Sequence, residues 1–244
     1  MRAGLLPLLL LVALAAGCGG GGSAPALPVG GEPVELDPAD FVARIDNPLL
    51  PLRPGARWVY RETDAKGGEQ RVTVTVLERT KTILGVRATV VHDVVTAGGR
   101  VVEDTEDWYA QDEQGNVWYL GEDTKEYDDG KVVSTAGSWQ AGVDGAQAGV
   151  VMPAEPQAGM AYRQEYYEGE AEDAGEVLSL NERVRVPYGT FEGVLLTRDW
   201  TPLDPAAEER KYYARGVGLV LAVPAGGGGR EELLRFSGGR PAGS

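Results

Sequence analysis

Carboxylates and aromatic rings are concentrated in the middle third of the chain. Between Arg100 and Glu176 there are 19 acidic residues against four basic ones, together with nine of the 18 aromatic residues of the chain. Carboxylates accept hydrogen bonds from ammonium and hydroxyl groups, and aromatic faces attract cations. This segment, residues 100–176, therefore predicts one of two things. It is either a solvated acidic face whose rings pack in the core, or a surface that binds a cationic or polyhydroxylated ligand.

Two acidic clusters in this segment offer the most specific contacts, one that ends at Asp107 and one that follows a strand end after Gly121. The candidate ligand-binding residues are Trp108, Trp118, Tyr119, Glu122 and Asp123. The candidate metal ligands are Asp107, Glu122 and Asp123. Hard oxygen donors of this kind suit calcium, although no spacing here matches an EF-hand loop. Calcium is therefore an open alternative in a chain for which no other cofactor is expected.

Catalytic machinery is sparse. His92 is the single histidine, and it shares a strand face with Val90 and Val94, which favours a core or half-buried residue over a catalytic base. No Gly-x-Ser-x-Gly motif occurs. Asp107 and Glu165 could form the carboxyl pair of a glycoside hydrolase, but any acidic chain offers such pairs. The prediction is that the protein is not an enzyme, with hydrolysis of cell-wall glycan as a distant third hypothesis.

Composition narrows the classes of partner. The 244 residues contain 23 Lys and Arg against 37 Asp and Glu, a formal net charge of -14. Such a chain is repelled by nucleic acid, so no nucleic-acid partner is expected. One Cys and one His exclude an intramolecular disulfide and a zinc site built from several Cys and His ligands.

The N-terminus has the organisation of a secretory signal. Arg2 precedes an apolar run over 5–16 that is too short to span a bilayer. The run ends in Leu14-Ala15-Ala16-Gly17-Cys18, which resembles the lipobox of bacterial lipoproteins. The resemblance implies that residues 1–17 are removed and that Cys18 is lipidated. It places the protein in the cell envelope, anchored to the membrane on the extracytoplasmic side. Because Gly19 is not aspartate, it implies the outer membrane if the host has one.

The rest of the chain divides by composition. Residues 18–33 are rich in Gly and Pro and predict a flexible tether, and residues 237–244 predict a flexible tail. The intervening residues, 34–236, predict a single β-rich domain. Within that domain residues 136–160 predict a long loop over one end.

Period-two alternation predicts the fold class. In residues 70–77 the side chains of Val72, Val74 and Val76 share one face, as in a half-buried antiparallel strand. Turn signals separate about ten such stretches, and Asp37-Pro38 predicts one short N-terminal helix. The expected fold is all-β and mainly antiparallel, a curved sheet that forms a half-barrel or a barrel.

Four phrases, over residues 47–60, 107–124, 186–191 and 211–220, together resemble a group of uncharacterised bacterial lipoproteins. The last two are also similar to elements of LolA/LolB-like half-barrel lipoproteins, in which a curved antiparallel sheet surrounds an apolar groove. These resemblances imply a fold and a location, and they assign no functional residue.

Two binding functions remain open from the sequence. The first is a carrier or chaperone for an amphipathic or lipidic ligand, which predicts an apolar cavity. The second is a cell-surface module that binds glycans or cations through residues 100–176, which predicts that the candidate residues named above are exposed together. The expected partners are the membrane, through the anchor, and a lipid, glycan or cation ligand.

Overall fold

The computed structural model describes residues 27–239, and this part of the chain is built almost entirely from strands. Its one helical element is a 3-10 turn at Pro38–Asp40, where the Asp37 side chain accepts a hydrogen bond from the Ala39 amide at 2.9 Å. The Asp37-Pro38 signal thus starts a single turn and not a longer helix. The chain returns to extended geometry at Phe41, which begins the first strand.

Sixteen strands follow one another along the chain. They are Phe41–Val42 (β1), Ala56–Thr63 (β2), Glu69–Ile83 (β3), Val86–Ala97 (β4), Arg100–Asp112 (β5), Val117–Asp128 (β6), Lys131–Ser134 (β7), Trp139–Gln140 (β8), Gln147–Met152 (β9), Ala161–Arg163 (β10), Glu165–Tyr166 (β11), Ala174–Val186 (β12), Gly189–Trp200 (β13), Glu209–Ala214 (β14), Gly218–Pro224 (β15) and Arg230–Gly238 (β16).

All pairings in this sheet are antiparallel, and its main path runs β10-β12-β13-β14-β15-β16-β2-β3-β4-β5-β6-β9-β11. The two ends of that path, β10 and β11, are separated in sequence only by Gln164. The sheet therefore curves into a nearly closed barrel. The predicted all-β class is confirmed, with more strands than the ten expected. Residues 136–160, predicted as a loop, contain β8 and β9.

The main core fills part of the barrel interior, called here the lumen. Alternation in β2 turns Trp58 and Tyr60 inward, where both are buried. Val72 and Val76 of β3 face the same way, as their period-two pattern predicts. The inward face of the sheet is thus apolar over much of its length.

The segment between β1 and β2, residues 43–55, closes one end of the barrel. Ile45, Leu49 and Leu52 are buried in the main core. The Asn47 side chain donates to the Gly115 carbonyl at 2.9 Å, in the β5–β6 turn, and the Pro48 carbonyl accepts from the Gly216 amide at 2.7 Å, in the β14–β15 turn. Because it bonds to turns on both sides of the barrel, this segment forms a plug.

A second core lies on the outer face of β4, β5 and β6. Its members include Val90, Trp108 and Leu120, all buried. Ala141 and Ala146, between β8 and β9, belong to the same core, so the region predicted as a loop covers this part of the sheet. As a result, β5 is packed on both faces in its second half.

The N-terminal end of the described chain lies against the barrel. Arg163 donates to the carbonyl oxygens of Gly30 and Glu32, the second at 2.8 Å. Residues 1–26, including the predicted signal peptide, Cys18 and most of the predicted tether, lie outside the described residues, as do 240–244. Within 27–239 no helix is long and apolar enough to cross a membrane.

Candidate functional site

The acidic residues of β5 divide between the two faces of the sheet. Successive side chains of a strand point to opposite sides, so Glu103 and Asp107 face the lumen whereas Asp104 and Glu106 face outward. In β6, Glu122 is the register partner of Asp107 and Asp123 that of Glu106. The acidic run is therefore two separate sets of carboxylates.

The outward carboxylates have basic side chains as partners. The Asp104 carboxylate lies 3.1 Å from Nε2 of His92, and the Lys125 ammonium donates to Asp123 at 2.8 Å. Glu106 is paired with Arg79. His92 is half-buried, as expected, but on the outer face of the barrel.

The inward carboxylates line two adjoining cavities. The larger, about 940 Å³, opens at the barrel end opposite the plug and is called the mouth cavity. Its lining carboxylates include Glu62, Asp93, Glu103, Glu126, Glu209 and Glu231. The smaller, about 220 Å³, lies deeper and is called the inner cavity. Both are lined by Asp93, Lys211, Leu219 and Glu231, so the two cavities meet at these residues.

Among the described residues, the mouth cavity is lined by two basic side chains, those of Lys211 and Arg230. They are too few to neutralise its carboxylates. The Lys211 ammonium donates to Asp199 at 3.1 Å and lies 3.9 Å from Glu209. Attraction by Asp199 raises the pKa of Lys211 well above its ordinary value, so this lysine stays charged. Arg230, at the rim, pairs with Glu232.

The pKa values of the lumen carboxyls reflect this imbalance. Burial raises the pKa of Asp93 to about 8, and repulsion from Glu231, Glu103 and Glu62 adds to the shift. Burial likewise raises the pKa of Glu231 to about 7, with repulsion from Glu62. These groups titrate near neutral pH in the absence of a cation.

Two polar groups of the inner cavity have no partner among residues 27–239. Oδ1 of Asp93 is fully buried and accepts no hydrogen bond. Tyr213 is 8% exposed, lines the inner cavity and has no hydrogen bond to its hydroxyl. Buried polar groups are normally hydrogen-bonded, so the orphaned Asp93 acceptor, together with a Tyr213 hydroxyl that faces the same cavity, points to a ligand that supplies the missing contacts.

Rigid aromatic rings form the wall around these groups. The Trp58 indole donates to the Val217 carbonyl at 2.7 Å, and the Tyr60 hydroxyl donates to the Leu219 carbonyl at 3.0 Å. Both side chains line the inner cavity. Because their polar atoms are bonded to the backbone, they can offer the cavity only their apolar ring surface.

The acidic series continues beyond the inner cavity into the protein. The Tyr119 hydroxyl donates to Asp107 at 2.6 Å, and burial raises the pKa of that carboxyl to about 7. Burial also raises the pKa of Glu122 to about 7 and that of Glu165 to about 8. Glu165 accepts a hydrogen bond from the Trp139 indole at 2.7 Å.

The structure does not bring the five predicted ligand-binding residues onto one surface. Trp108 is buried in the outer core beneath the Lys81 ammonium. Trp118 lies in an outer groove of about 880 Å³ formed with the N-terminal segment, and its indole donates to Asp112 at 2.8 Å. Tyr119 is buried and stacked on the Tyr109 ring.

The predicted metal ligands are also divided. Asp107 and Glu122 face the lumen as register partners, whereas Asp123 points outward to Lys125 because it follows Glu122 in the same strand. In the part of the chain that the structure describes, no three His, Cys, Asp or Glu side chains are grouped so as to hold a metal ion.

The sequence analysis did not single out the lumen residues Glu62, Asp93, Lys211, Tyr213 and Glu231. A signal for one of them was present. Asp93 shares its strand face with Val91 and Val95, so a carboxylate interrupts an apolar row. An acid at such a position is either buried with a partner or part of a site.

Comparison with known proteins gives limited similarity. No protein-family model matches the chain, and no curated protein matches it in sequence. A Bacteroides fragilis protein, described as exported and as having a YmcC-like fold, gives a TM-score of 0.42 at 15% identity over 78% of this chain and 98% of its own. A Parabacteroides distasonis protein described as a lipoprotein gives 0.40 at 13% identity, with the same coverage. Similarity this low supports no argument about function, and neither protein is described as LolA- or LolB-like.

Proposed function

We propose that this protein is a lipid-anchored, extracytoplasmic binding protein that holds a positively charged organic ligand in its barrel lumen. The observation that carries the ligand class is Asp93, an inward carboxylate with an orphaned oxygen at the junction of the two cavities. A cation that enters the lumen meets carboxylates that lack a basic partner, and a charge-assisted hydrogen bond forms there without first breaking an ion pair.

The cationic form of the binding hypothesis is favoured over the lipidic form. A lipidic ligand predicts an apolar cavity, but the mouth cavity is bordered by carboxylates on several strands. The inner cavity has aromatic and aliphatic side chains beside its charged groups, and at about 220 Å³ it is smaller than the roughly 300–1,000 Å³ of typical ligand pockets. The alternative hypothesis placed a site for glycans or cations on an outer surface of residues 100–176. The cation site proposed here lies in the lumen instead.

A fluorescent amine tests the ligand class. The probe is monodansylcadaverine, which joins a primary amine to an apolar ring system, and its control is dansylamide, which lacks the amine. The full mature protein in neutral detergent should bind the amine saturably at pH 8.5 and bind the control at least about tenfold more weakly, as expected for a charge-assisted contact. Equal binding of the two probes would contradict the proposal.

A matched pair of double variants locates the binding. Asp93→Asn with Glu231→Gln removes two lumen carboxylates, and Asp104→Asn with Asp123→Asn removes two outer ones, so both change the net charge by the same amount. The first should weaken binding of monodansylcadaverine at least about tenfold and the second less than about twofold. Thermal unfolding verifies that each variant is folded, and equal losses would assign the effect to net charge.

The anchor is tested separately. Cys18→Ala should abolish incorporation of labelled fatty acid and release the protein from the membrane fraction. A labelled, membrane-bound Cys18→Ala variant would contradict lipidation at this residue. Binding of the amine by the released variant would show that the two parts of the proposal are independent. The proposal includes binding and not catalysis.

A further inference from the structure

The unpaired carboxylates of the lumen form a series and not a single cluster. Glu62 lies in the mouth cavity, Asp93 and Glu231 at the junction, and Asp107 in the inner cavity. Glu62 and Glu231 are register partners on β2 and β16, both repel Asp93, and Asp93 in turn repels Asp107. The series therefore extends from the open end of the barrel towards the plug.

Apolar side chains lie between these carboxylates. Val72, Val95 and Leu219 line the mouth cavity, and Val74 and Val91 line the inner one. The wall thus alternates charged and apolar patches along its depth. A ligand that matches it has several positive charges separated by short apolar spacers.

On these grounds, and on the basis of the proposed function, we propose that the ligand is a linear polyamine with three or more amino groups. Its ammonium groups would be accepted by the carboxylates at successive depths, and its methylene groups would contact the valine and leucine side chains between them. Oδ1 of Asp93 accepts no hydrogen bond within residues 27–239, and the Tyr213 side chain, only 8% exposed, lines the same cavity, so both can contact an ammonium group.

The alternatives fit the wall less well. A divalent metal ion needs several oxygen ligands around one point, and the described residues contain no such group of three. A monoamine pairs with one or two carboxylates and leaves the others uncompensated. A lysine-rich peptide carries its charges on side chains that branch from a backbone, so it is wider than a polyamine, whose amino groups lie within one unbranched chain.

Calorimetric titration with a homologous series tests this inference. The probes are putrescine, spermidine and spermine, with two, three and four amino groups, together with trilysine and Ca²⁺. For the full mature protein at pH 8.5, the dissociation constant should fall at least about tenfold for each added amino group, since each makes a further charge-assisted contact. Trilysine and Ca²⁺ should bind at least about tenfold more weakly than spermine.

Two variants connect the result to the lumen. Asp93→Asn with Glu231→Gln should remove most of the gain between putrescine and spermine, whereas Asp104→Asn with Asp123→Asn should retain it. Tyr213→Phe leaves the charge unchanged and should weaken spermine several-fold through loss of one hydroxyl. Unchanged spermine binding in the lumen double variant would overturn the inference, and melting temperatures identify any variant that is unfolded.

The outcomes separate this inference from the proposed function. If monodansylcadaverine binds but the three amines bind equally, the cationic function stands and the polyamine is wrong. If trilysine binds as tightly as spermine, the ligand class is a basic peptide. If Ca²⁺ binds more tightly than any amine, the ligand is a metal ion. If no cation binds, both proposals fail.

Discussion

The two faces of β5 and β6 carry similar numbers of carboxylates in opposite circumstances. Outside, Asp104, Glu106 and Asp123 each contact a basic side chain. Inside, Glu103 and Asp107 contact hydroxyls and no cation, and burial raises the pKa of both. The outer set behaves as an ordinary ion-paired surface. The inner set costs folding free energy, which indicates that its carboxylates have a use other than stability.

The largest effect that we expect from this difference is on the pH dependence of the free energy of unfolding. Because the pKa values of Asp93 and Glu165 are raised to about 8, the folded protein holds protons that the unfolded chain releases near pH 4. The free energy of unfolding should therefore be highest below pH 4 to 5, as far as these groups are concerned. It should fall as pH rises to about 8, by roughly 1.4 kcal/mol per pH unit for each such carboxyl. Urea titrations from pH 5 to pH 8.5 measure the slope, and a stability that rises over this range would contradict it.

Neutralising one inner carboxylate should give an intermediate effect. Asp93→Asn keeps the shape and removes a charge that is repelled by Glu231 and Glu103, so at pH 8.5 it should stabilise the protein by about 1–3 kcal/mol. At pH 5, where Asp93 is protonated, the gain should nearly vanish. Asp104→Asn is the outer control and should be neutral or slightly destabilising at pH 8.5. Equal effects of the two changes would abolish the contrast between the faces.

The smallest effect belongs to the outer ion pairs. Lys125→Ala removes the partner of Asp123, whose contact is 2.8 Å long but lies on the surface. We expect a loss of about 0.2–1 kcal/mol that declines in 0.5 M salt, because exposed pairs are weak and screened. A double-mutant cycle with Asp123→Asn isolates the pair. A coupling energy that is insensitive to salt would show that the outer face resembles the inner one.

The sequence predicted the class of fold because alternation is a local signal. Val72, Val74 and Val76 identify both the strand and its inward face. Closure of the barrel was not predictable, because β10 and β11 have three and two residues and carry no pattern. They pair with β12 and β9, which are nearby in the sequence, but neither short strand shows an alternation that reveals this pairing.

The candidate site was predicted only in part, for a related reason. Alternation separates Glu103 and Asp107 from Asp104 and Glu106 but does not say which set faces inward. Trp108 on one face of β5 and Tyr109 on the other are both largely buried. The deciding contact is the packing of Ala141 and Ala146, between β8 and β9, in the core with Trp108, which a Gly-rich stretch did not reveal. Glu231 lies in β16 near the C-terminus, and only the curvature of the sheet across β2 and β3 brings it to Asp93 of β4.

The plug has a consequence for kinetics. Leu50 and Leu52 form part of the floor of the inner cavity, so within residues 27–239 the plug closes this end and a ligand exchanges through the mouth. A second ligand molecule cannot enter from the plug end to displace the first, so it binds only after the first has dissociated. Exchange of bound molecules is then limited by spontaneous departure, and its rate is independent of how much competitor is present.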